Sequence, residues 1–212
     1  MIRLLNQLEK SLVEGKFCFT AELVPTLTTN LDSILEEVSP LVRLVEAINI
    51  TDGAAAKTTM SSFAAATILA INNIEPVLQL TCRDRNRTAL CADLIGAAAF
   101  GISNLLPLTG DDPGNGDQPD AKAVHDKNSA ELISLASDMS EKRILPNDRE
   151  IDSPPHFHIG YADVPQRLKE EDNHPALVKK IDSGASFVQT KLCYDIDLMK
   201  AYISDLGERG IL

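Results

Sequence analysis

The 212-residue sequence contains no tryptophan, and only 4% of its residues are aromatic although 44% are hydrophobic. A buried core must therefore be built mainly from alanine, leucine, isoleucine and valine, as is common where helices pack closely on a sheet. The length suits one large domain or two small ones. Because no low-complexity linker divides the chain, we expect a single domain over residues 1–212.

Basic residues are also scarce, since 20 Lys and Arg stand against 31 Asp and Glu and give a formal net charge of −11. A strongly acidic chain repels a phosphate backbone, which argues against nucleic-acid binding. No stretch approaches the roughly 20 apolar residues that a membrane-spanning helix needs, so we expect no membrane contact. The N-terminal residues 1–16 carry charges throughout and indicate a short amphipathic helix rather than a signal peptide.

Several motifs that would assign a function are missing. The four cysteines form no CxxC pair, a pattern typical of reduced thiols in a cytoplasmic protein. The histidines show no metal-ligand spacing, so we predict no metal site. The chain has no GxGxxG, GxxxxGK[ST] or GxSxG segment, which removes support for Rossmann, P-loop and α/β-hydrolase functions.

The sequence instead shows a regular alternation of apolar runs with helical patterns. Six strands are predicted at 17–25, 46–53, 75–82, 102–110, 156–162 and 186–195. The helices that follow them are predicted at 31–45, 58–73, 87–101, 127–139, 174–184 and 196–210, the first with Asn30 as its cap. Such alternation indicates an α/β fold with a parallel sheet. It leaves two architectures open, a doubly wound sheet and a (β/α)8 barrel, of which only about six βα units are present.

Polar residues collect where the predicted strands end. Both architectures bind ligands at the carboxyl edge of the sheet, so these residues together predict one polar cleft. Each also has an ordinary structural role, since aspartates before Gly or Pro favour turns and lysines suit a helix C-terminus. "CRDRNR" likewise has the composition of a solvated loop that caps the next helix. The strand-end residues are Glu22, Thr51, Asp52, Gln79, Thr109, Gly110, Asp111, Tyr161 and Lys191.

Five segments, in this order, resemble the methylenetetrahydrofolate reductase family over nearly the whole chain. They read "FTAELVPT", "INITDG", "PVLQLTCRDRNR", "LLPLTGDDP" and "GASFVQTKLCYD". The resemblance favours the barrel, and it implies one reductase-like domain of the (β/α)8 TIM-barrel type that lacks the last two βα units. It also implies FAD as the cofactor, with the hydride passing from reduced FAD to 5,10-methylenetetrahydrofolate to give 5-methyltetrahydrofolate. The setting would be one-carbon metabolism and methionine biosynthesis in the cytoplasm.

The same resemblance assigns roles to residues. Glu22 matches the family's proton donor, and Asp111 matches the family's aspartate beside the flavin and the pterin. Glu22 and Asp111 are therefore expected to be catalytic and to contact the folate. Lys191 stands where the family has a glutamine that reads the pterin ring, and a lysine donates hydrogen bonds but cannot accept them. The cofactor-binding residues implied are Thr51, Asp52, Gln79, Thr109, Gly110, Asp111, Tyr161, Lys179 and Lys180.

Two other functions remain open. One, which Lys191 and the two absent units favour, is a non-catalytic flavin- or folate-binding relative that acts with a partner subunit. The other is a barrel methyltransferase that binds a methylated folate and no flavin. The expected partners of the reductase are the folate and NAD(P)H or another electron donor. An open barrel would expose two sheet edges, so a homo-oligomer or a partner subunit is also expected.

Overall fold

The computed structural model describes residues 6–167 and 175–211. In these ranges six strands alternate with helices, and a further helix precedes the first strand. The elements are α1 (Gln7–Val13), β1 (Thr20–Leu23), α2 (Leu31–Val38), β2 (Ala47–Ile50), α3 (Ser62–Ile71), β3 (Pro76–Thr81), α4 (Arg87–Ala99), β4 (Asn104–Leu108), α5 (Ser129–Glu141), β5 (His158–Asp163), α6 (Pro175–Asp182), β6 (Phe187–Thr190) and α7 (Ile196–Glu208).

The six strands form one parallel sheet whose spatial order β1-β2-β3-β4-β5-β6 follows the sequence. A doubly wound sheet reverses its strand order at a switch point, and this sheet does not. The sheet curls into a half-barrel, which is the arrangement that six consecutive units of a (β/α)8 barrel would give. The predicted alternation of strands and helices is therefore confirmed in the described residues.

Some predicted boundaries are wrong. Helix α2 was expected over 31–45 but ends at Val38, because Pro40 lacks the amide proton that the next turn would need. Its predicted cap is confirmed, since the Asn30 side chain accepts a hydrogen bond from the Asp32 amide. The strands expected at 17–25 and 186–195 shorten to four residues each, Thr20–Leu23 and Phe187–Thr190, the stretches that pair with their neighbours.

Two apolar clusters lie on opposite faces of the sheet because side chains alternate along each strand. Residues such as Ile48 and Leu78 face the helices and form the main core with them. On the concave face, Ala47, Val77 and Leu106 pack with Leu8 of α1. The apolar part of the concave face is therefore covered by the N-terminal helix.

Helix α1 is held at the amino-terminal end of the sheet by Glu75, the residue just before β3. Its carboxylate accepts hydrogen bonds from the amides of Gln7 (2.7 Å) and Leu8 (2.9 Å), and from the side-chain amide of Asn104 (2.9 Å). A carboxylate at a helix N-terminus also interacts favourably with the helix dipole. The helix predicted over 1–16 is thus confirmed for Gln7–Val13, while residues 1–5 lie outside the described part. The opposite, carboxyl end of the sheet is left for ligands.

Strands β1 and β6 each pair on one side only within the described residues. Large apolar side chains are exposed near both, with Phe17 82% exposed before β1 and Tyr194 91% exposed after β6. Unpaired strand edges are ready to bind further strands. No helix in the described ranges is long and apolar enough to cross a membrane.

Candidate functional site at the carboxyl ends of the strands

A strip of polar side chains crosses the concave face of the first three strands. Glu22 of β1 lies in register with Asn49 of β2, so their side chains share a face. Thr51 and Gln79 are on the same face, two residues beyond Asn49 and Val77 respectively. Glu22 is exposed, whereas Asn49, Thr51 and Gln79 are buried. The structure thus brings the predicted residues Glu22, Thr51 and Gln79 together.

Two buried oxygens of this strip lack a hydrogen-bond partner in the described residues, Asn49 Oδ1 and Thr51 Oγ1. More than about 90% of buried polar groups in proteins are hydrogen-bonded, and an unsatisfied one costs about 1–3 kcal/mol. Their presence beside Glu22 and Gln79 fits a ligand that brings N–H groups to this face. Sequence reasoning missed Asn49, although its position two residues before Thr51 places it on the same face of β2.

Asp52, which was predicted to bind the cofactor, is occupied by protein contacts. Its Oδ2 accepts hydrogen bonds from the Thr81 amide (2.8 Å), the Thr81 hydroxyl (2.9 Å) and Arg85 Nη1 (2.6 Å). Arg85 Nε also donates to Asp93 (2.9 Å). Burial alone would lower the pKa of Arg85, but the attraction and hydrogen bonds of Asp52 and Asp93 together outweigh burial and raise it. Asp52 therefore anchors the loop between β3 and α4.

The interpretation of "CRDRNR" as a solvated loop is wrong for Arg83 and Arg85, whereas Arg87 is exposed as expected. The side chains of Arg83 and Arg85 are only 8% and 14% exposed, because each pairs with a carboxylate. Arg83 donates to Asp84 and to the Gly53 carbonyl oxygen. The capping role is confirmed, since the Asn86 side chain accepts a hydrogen bond from the Ala89 amide at the start of α4.

Two loops contact each other at the carboxyl edge, residues 53–58 after β2 and residues 111–117 after β4, and together we name them the loop clasp. Asp111 is one of the residues that join them. Its exposed carboxylate accepts a hydrogen bond from the Ala55 amide at 3.1 Å. Asp117 accepts two more, from the amide (3.0 Å) and the hydroxyl (3.1 Å) of Thr58. The loop clasp joins the ends of β2 and β4 next to the end of β3. The predicted role of Asp111 beside a flavin and a folate stays a prediction.

The loop clasp is tightly packed and has unusual backbone conformations. Ala55 and Ala56 both have left-handed φ angles, 54° and 55°, which are uncommon for residues other than glycine and cost free energy. Gly116 lies so close to them that an added Cβ would be 2.0 Å from the Ala56 carbonyl oxygen. The contacts of Asp111 and Asp117 hold this conformation in place.

Thr109 and Gly110, predicted to bind the cofactor, lie between β4 and the loop clasp. The exposed Thr109 hydroxyl accepts a hydrogen bond from the Ser129 amide at 3.3 Å. Gly110 has a φ of 96°, and a Cβ there would lie 2.7 Å from Cβ of Arg83. A cavity of about 270 Å³ opens between the loop clasp and the β3–α4 loop, with Lys57 and Arg83 in its lining.

The structure does not bring Tyr161 to the polar strip. Tyr161 is 3% exposed and belongs to the main core on the helix-facing side of β5. Burial raises the pKa of its hydroxyl to about 12. Lys180 lies over the Tyr161 ring, with Nζ 5.7 Å from the ring centre, and donates to the Ala162 carbonyl oxygen at 2.7 Å. Lys179 and Lys191 are exposed. Their cofactor and substrate roles stay predictions.

Neighbouring Tyr202 of α7 is buried against the end of β5, and its hydroxyl donates to the Asp163 carboxylate. Burial and this hydrogen bond raise the pKa of Tyr202.

The described residues contain no group of three or more His, Cys, Asp or Glu side chains that could hold a metal ion. The groups present at the carboxyl edge include carboxylates, amides, hydroxyls and lysine and arginine cations.

Comparison with known proteins gives a consistent set of matches. The family model for methylenetetrahydrofolate reductase matches residues 7–212. Methylenetetrahydrofolate reductase 2 of Schizosaccharomyces pombe is 25% identical over 186 residues, which are 85% of this chain and 28% of that protein. A probable methylenetetrahydrofolate reductase (NADPH) of Caenorhabditis elegans is 26% identical over 159 residues, 73% of this chain and 22% of that protein. The chain thus spans about a quarter of the length of these relatives.

A solved structure shares the fold. It is an uncharacterized protein from Clostridium thermocellum that binds two copies of 5-methyl-5,6,7,8-tetrahydrofolic acid. Its TM-score is 0.65 at 12% sequence identity, and the superposition covers 97% of this chain and 66% of that one. At this identity the likeness concerns the fold.

Proposed function

The chain belongs to the methylenetetrahydrofolate reductase family, and we propose that it carries the flavin- and folate-binding face of such a reductase. The reaction is the reduction of 5,10-methylenetetrahydrofolate to 5-methyltetrahydrofolate, with NAD(P)H or another donor as the source of electrons. The curated relatives with this name and the folate-binding protein of the same fold support the proposal. The four free cysteines fit a reducing, cytoplasmic setting.

The observation that carries the proposal is the unpartnered Thr51 hydroxyl on the concave face, near the Gln79 amide and an exposed carboxyl. The Thr51 hydroxyl can donate or accept a hydrogen bond, and the Gln79 amide can do both. These groups suit a flat heterocycle that has both N–H and C=O groups on its rim. Reduced FAD, when bound, supplies the hydride. The part of this chain is to hold the rings and to manage the proton.

Glu22 is the residue we assign to the proton. The bridged folate must open to an iminium cation before it can accept a hydride, and opening requires a proton on the departing nitrogen. Glu22 lies at the exposed edge strand, where a substrate can reach it. The negative charge of Asp111 would stabilise the cation. Lys179 and Lys180 provide positive charge for phosphates in a protein that is acidic overall. Lys191 is assigned to the folate.

A second candidate function is a flavin- or folate-binding subunit without turnover of its own. It is favoured by the unpaired edges of β1 and β6 in the described residues, which leave space for strands from a partner. Lys191 also favours it, because a cation near the folate opposes formation of the iminium cation.

The visible absorption spectrum of the purified protein, taken after addition of FAD and desalting, tests flavin binding first. We expect retained flavin that is bleached by an anaerobic reductant and reoxidised by methylenetetrahydrofolate. Glu22→Gln should retain the flavin and lose about 100- to 10,000-fold in the rate of reoxidation, the usual contribution of a general acid. Thr51→Val should weaken flavin binding.

Three outcomes separate the alternatives. Retained flavin without reoxidation would favour the second candidate. A colourless protein that binds a methylated folate would favour a methyltransferase. Reoxidation by Glu22→Gln at the wild-type rate would show that another group donates the proton.

A further inference from the structure

We propose that Asn49 is a positioning residue for Glu22, with Asn49 Oδ1 accepting a hydrogen bond from the Glu22 carboxyl when that carboxyl is protonated. Asn49 is 3% exposed, and its side-chain oxygen has no partner in the described residues. The inference deepens the proposed function and rests on it for the catalytic meaning of the contact. The contact itself does not require turnover.

The geometry points the Asn49 side chain at β1. Glu22 and Asn49 are directly paired in the parallel register of β1 and β2. The Asn49 amide nitrogen donates, over 3.4 Å, to the carbonyl oxygen of Ala21, the residue before Glu22. The carboxamide nitrogen therefore lies on the β1 side. Because Glu22 and Asn49 project from directly paired positions on the same face, the long Glu22 side chain can reach the other atom of that carboxamide, Oδ1.

Hydrogen-bond chemistry makes this contact specific for one protonation state. An amide oxygen only accepts, and an ionised carboxylate only accepts, so the two cannot bond. A protonated carboxyl has an O–H to donate. The bond therefore forms when Glu22 holds the proton and breaks when the proton passes to the folate nitrogen, leaving Glu22 as a carboxylate. Asn49 gains and loses no proton in this step.

Such a contact stabilises the protonated form of the carboxyl, because a hydrogen bond that exists only in the neutral form favours that form. Glu22 is exposed, so a substrate can reach the proton. The hydrogen bond to Asn49 also determines which carboxyl oxygen of Glu22 carries the proton, and therefore the direction from which the proton is donated.

Charged groups on the elements around β1 are engaged elsewhere. Glu46, before β2, accepts a hydrogen bond from the Phe19 amide at 2.6 Å. Asp52, after β2, pairs with Arg85, and Asp111 accepts from Ala55. The acidic residues of α2 belong to a helix that packs on the opposite face of the sheet, with Ile34 and Val38 in the main core. Asn49 is thus the polar residue of β2 that is directly paired with Glu22, and Thr51 is the next polar residue along the same face.

The test compares three variants of the full chain. Asn49→Leu keeps the approximate shape and removes the acceptor. Asn49→Asp keeps an acceptor oxygen at the same place. Ser62→Ala is the matched control, because it removes a buried oxygen that also lacks a partner in the described residues but lies at the start of α3, outside the polar strip.

The first measurement follows the titration of the Glu22 carboxyl by NMR, with carbon-labelled glutamate and Glu22→Gln to assign the signal. We expect Asn49→Leu to move the titration midpoint of Glu22 down by about 0.5–1 pH unit, the equivalent of one neutral hydrogen bond. Ser62→Ala should leave it unchanged, and Asn49→Asp should not lower it. An unmoved midpoint in Asn49→Leu would overturn the proposal whether or not the protein turns over.

The second measurement is the single-turnover reoxidation of bound, reduced flavin by methylenetetrahydrofolate. At pH 7 we expect the reoxidation rate of Asn49→Leu to be about 10-fold or more below that of the wild type. The high-pH limb of its pH–rate profile should move to lower pH, and its affinity for FAD should be unchanged. In a Glu22→Gln background the same substitution should have no further effect. A lower affinity for flavin or folate with the limb unmoved would mean that Oδ1 bonds the ligand instead. No reoxidation by the wild type would refute the proposed function, while the NMR result would still decide the contact.

Thermal unfolding separates this role from a structural one. Asn49 Oδ1 makes no hydrogen bond in the described fold, and the bond lost in Asn49→Leu is the long one from Nδ2 to the Ala21 carbonyl oxygen. The unfolding temperature of Asn49→Leu should therefore fall by no more than about 4 °C. A loss of reoxidation that comes with a larger fall, and that Asn49→Asp does not rescue, would contradict a positioning role.

Discussion

The replacement Asp52→Ala separates two roles that the same carboxylate could have, scaffold and ligand contact. The Asp52 side chain is 6% exposed and that of Arg85 is 14% exposed, and the two are joined at 2.6 Å. Asp52 also accepts the amide proton of buried Thr81. Removing one partner of a buried ion pair costs about 3–5 kcal/mol, because the other charge stays behind in a site of low polarity.

For a chain of this size, 1 kcal/mol corresponds to roughly 2–4 °C in the unfolding temperature. We therefore expect Asp52→Ala to unfold about 6–20 °C below the wild type, as measured by calorimetry or circular dichroism. The control is Asp138→Ala, which removes the partner of Lys142 in an exposed pair on α5 and should cost only about 0.5 kcal/mol. The affinity for FAD, measured well below the unfolding temperature, should stay within about twofold of the wild type, since the Asp52 carboxylate is already occupied.

The opposite pattern would refute this reasoning. If the unfolding temperature of Asp52→Ala is no lower than that of Asp138→Ala, the Asp52–Arg85 pair is not a significant source of stability. If the affinity for FAD falls more than about 10-fold in a protein of unchanged stability, Asp52 contacts the cofactor and the predicted role is the right one.

Two further predictions concern the sheet and the loops. The chain has three tyrosines and no tryptophan, and burial raises the pKa of Tyr161 to about 12 and raises that of Tyr202. Between about pH 10 and 11, the phenolate absorbance of the native protein should therefore correspond to at most one ionised tyrosine out of three. The free energy of unfolding should fall as the pH rises above about 10, because the tyrosines of the unfolded chain ionise at lower pH than those of the native protein. Ionisation of all three tyrosines of the native protein in this range would contradict the burial of both rings. Gly116→Ala should disrupt the loop clasp, since the new Cβ would lie 2.0 Å from the Ala56 carbonyl oxygen, and hydrogen exchange of the Ala55 and Thr58 amides should accelerate. Gly207→Ala is its control, because no atom outside the local helix lies within 4 Å of that Cβ, and protection of the clasp amides lost equally in both variants would contradict the packing argument.

The alternation of strands and helices was readable because each strand is a short apolar run bounded by turn residues. The segment "PVLQLT" is the clearest case, and all six of its residues are buried in β3. Boundaries were less readable at the edge of the sheet. Near β1, Phe17 and Phe19 favour a strand by type, but the pairing with β2 begins only at Thr20.

The site was readable only in part, for two physical reasons. Thr51 and Gln79 stand at strand ends, where polar residues signal a ligand edge, but Asn49 is a single polar residue inside an apolar strand and resembles a satisfied core residue. The left-handed Ala55 and Ala56 could not be predicted, because three consecutive alanines favour a helix. Their conformation is imposed by contacts with residues 56 or more positions later in the chain, beginning with Asp111.

The sequential order of the strands has a consequence for how the chain assembles during synthesis. Each strand pairs with the strand of the unit just before it, so every step closes a loop of modest length. The connection from β4 to β5 is about twice as long as the others, which adds only about 0.6 kcal/mol to the entropic cost of closing it. A growing chain can therefore add one βα unit at a time to the preceding ones. Helix α1 is the exception, because the Leu8 amide bonds Glu75, which lies 67 residues later in the chain. This helix can therefore be fixed in place only after the chain has been made as far as the start of β3.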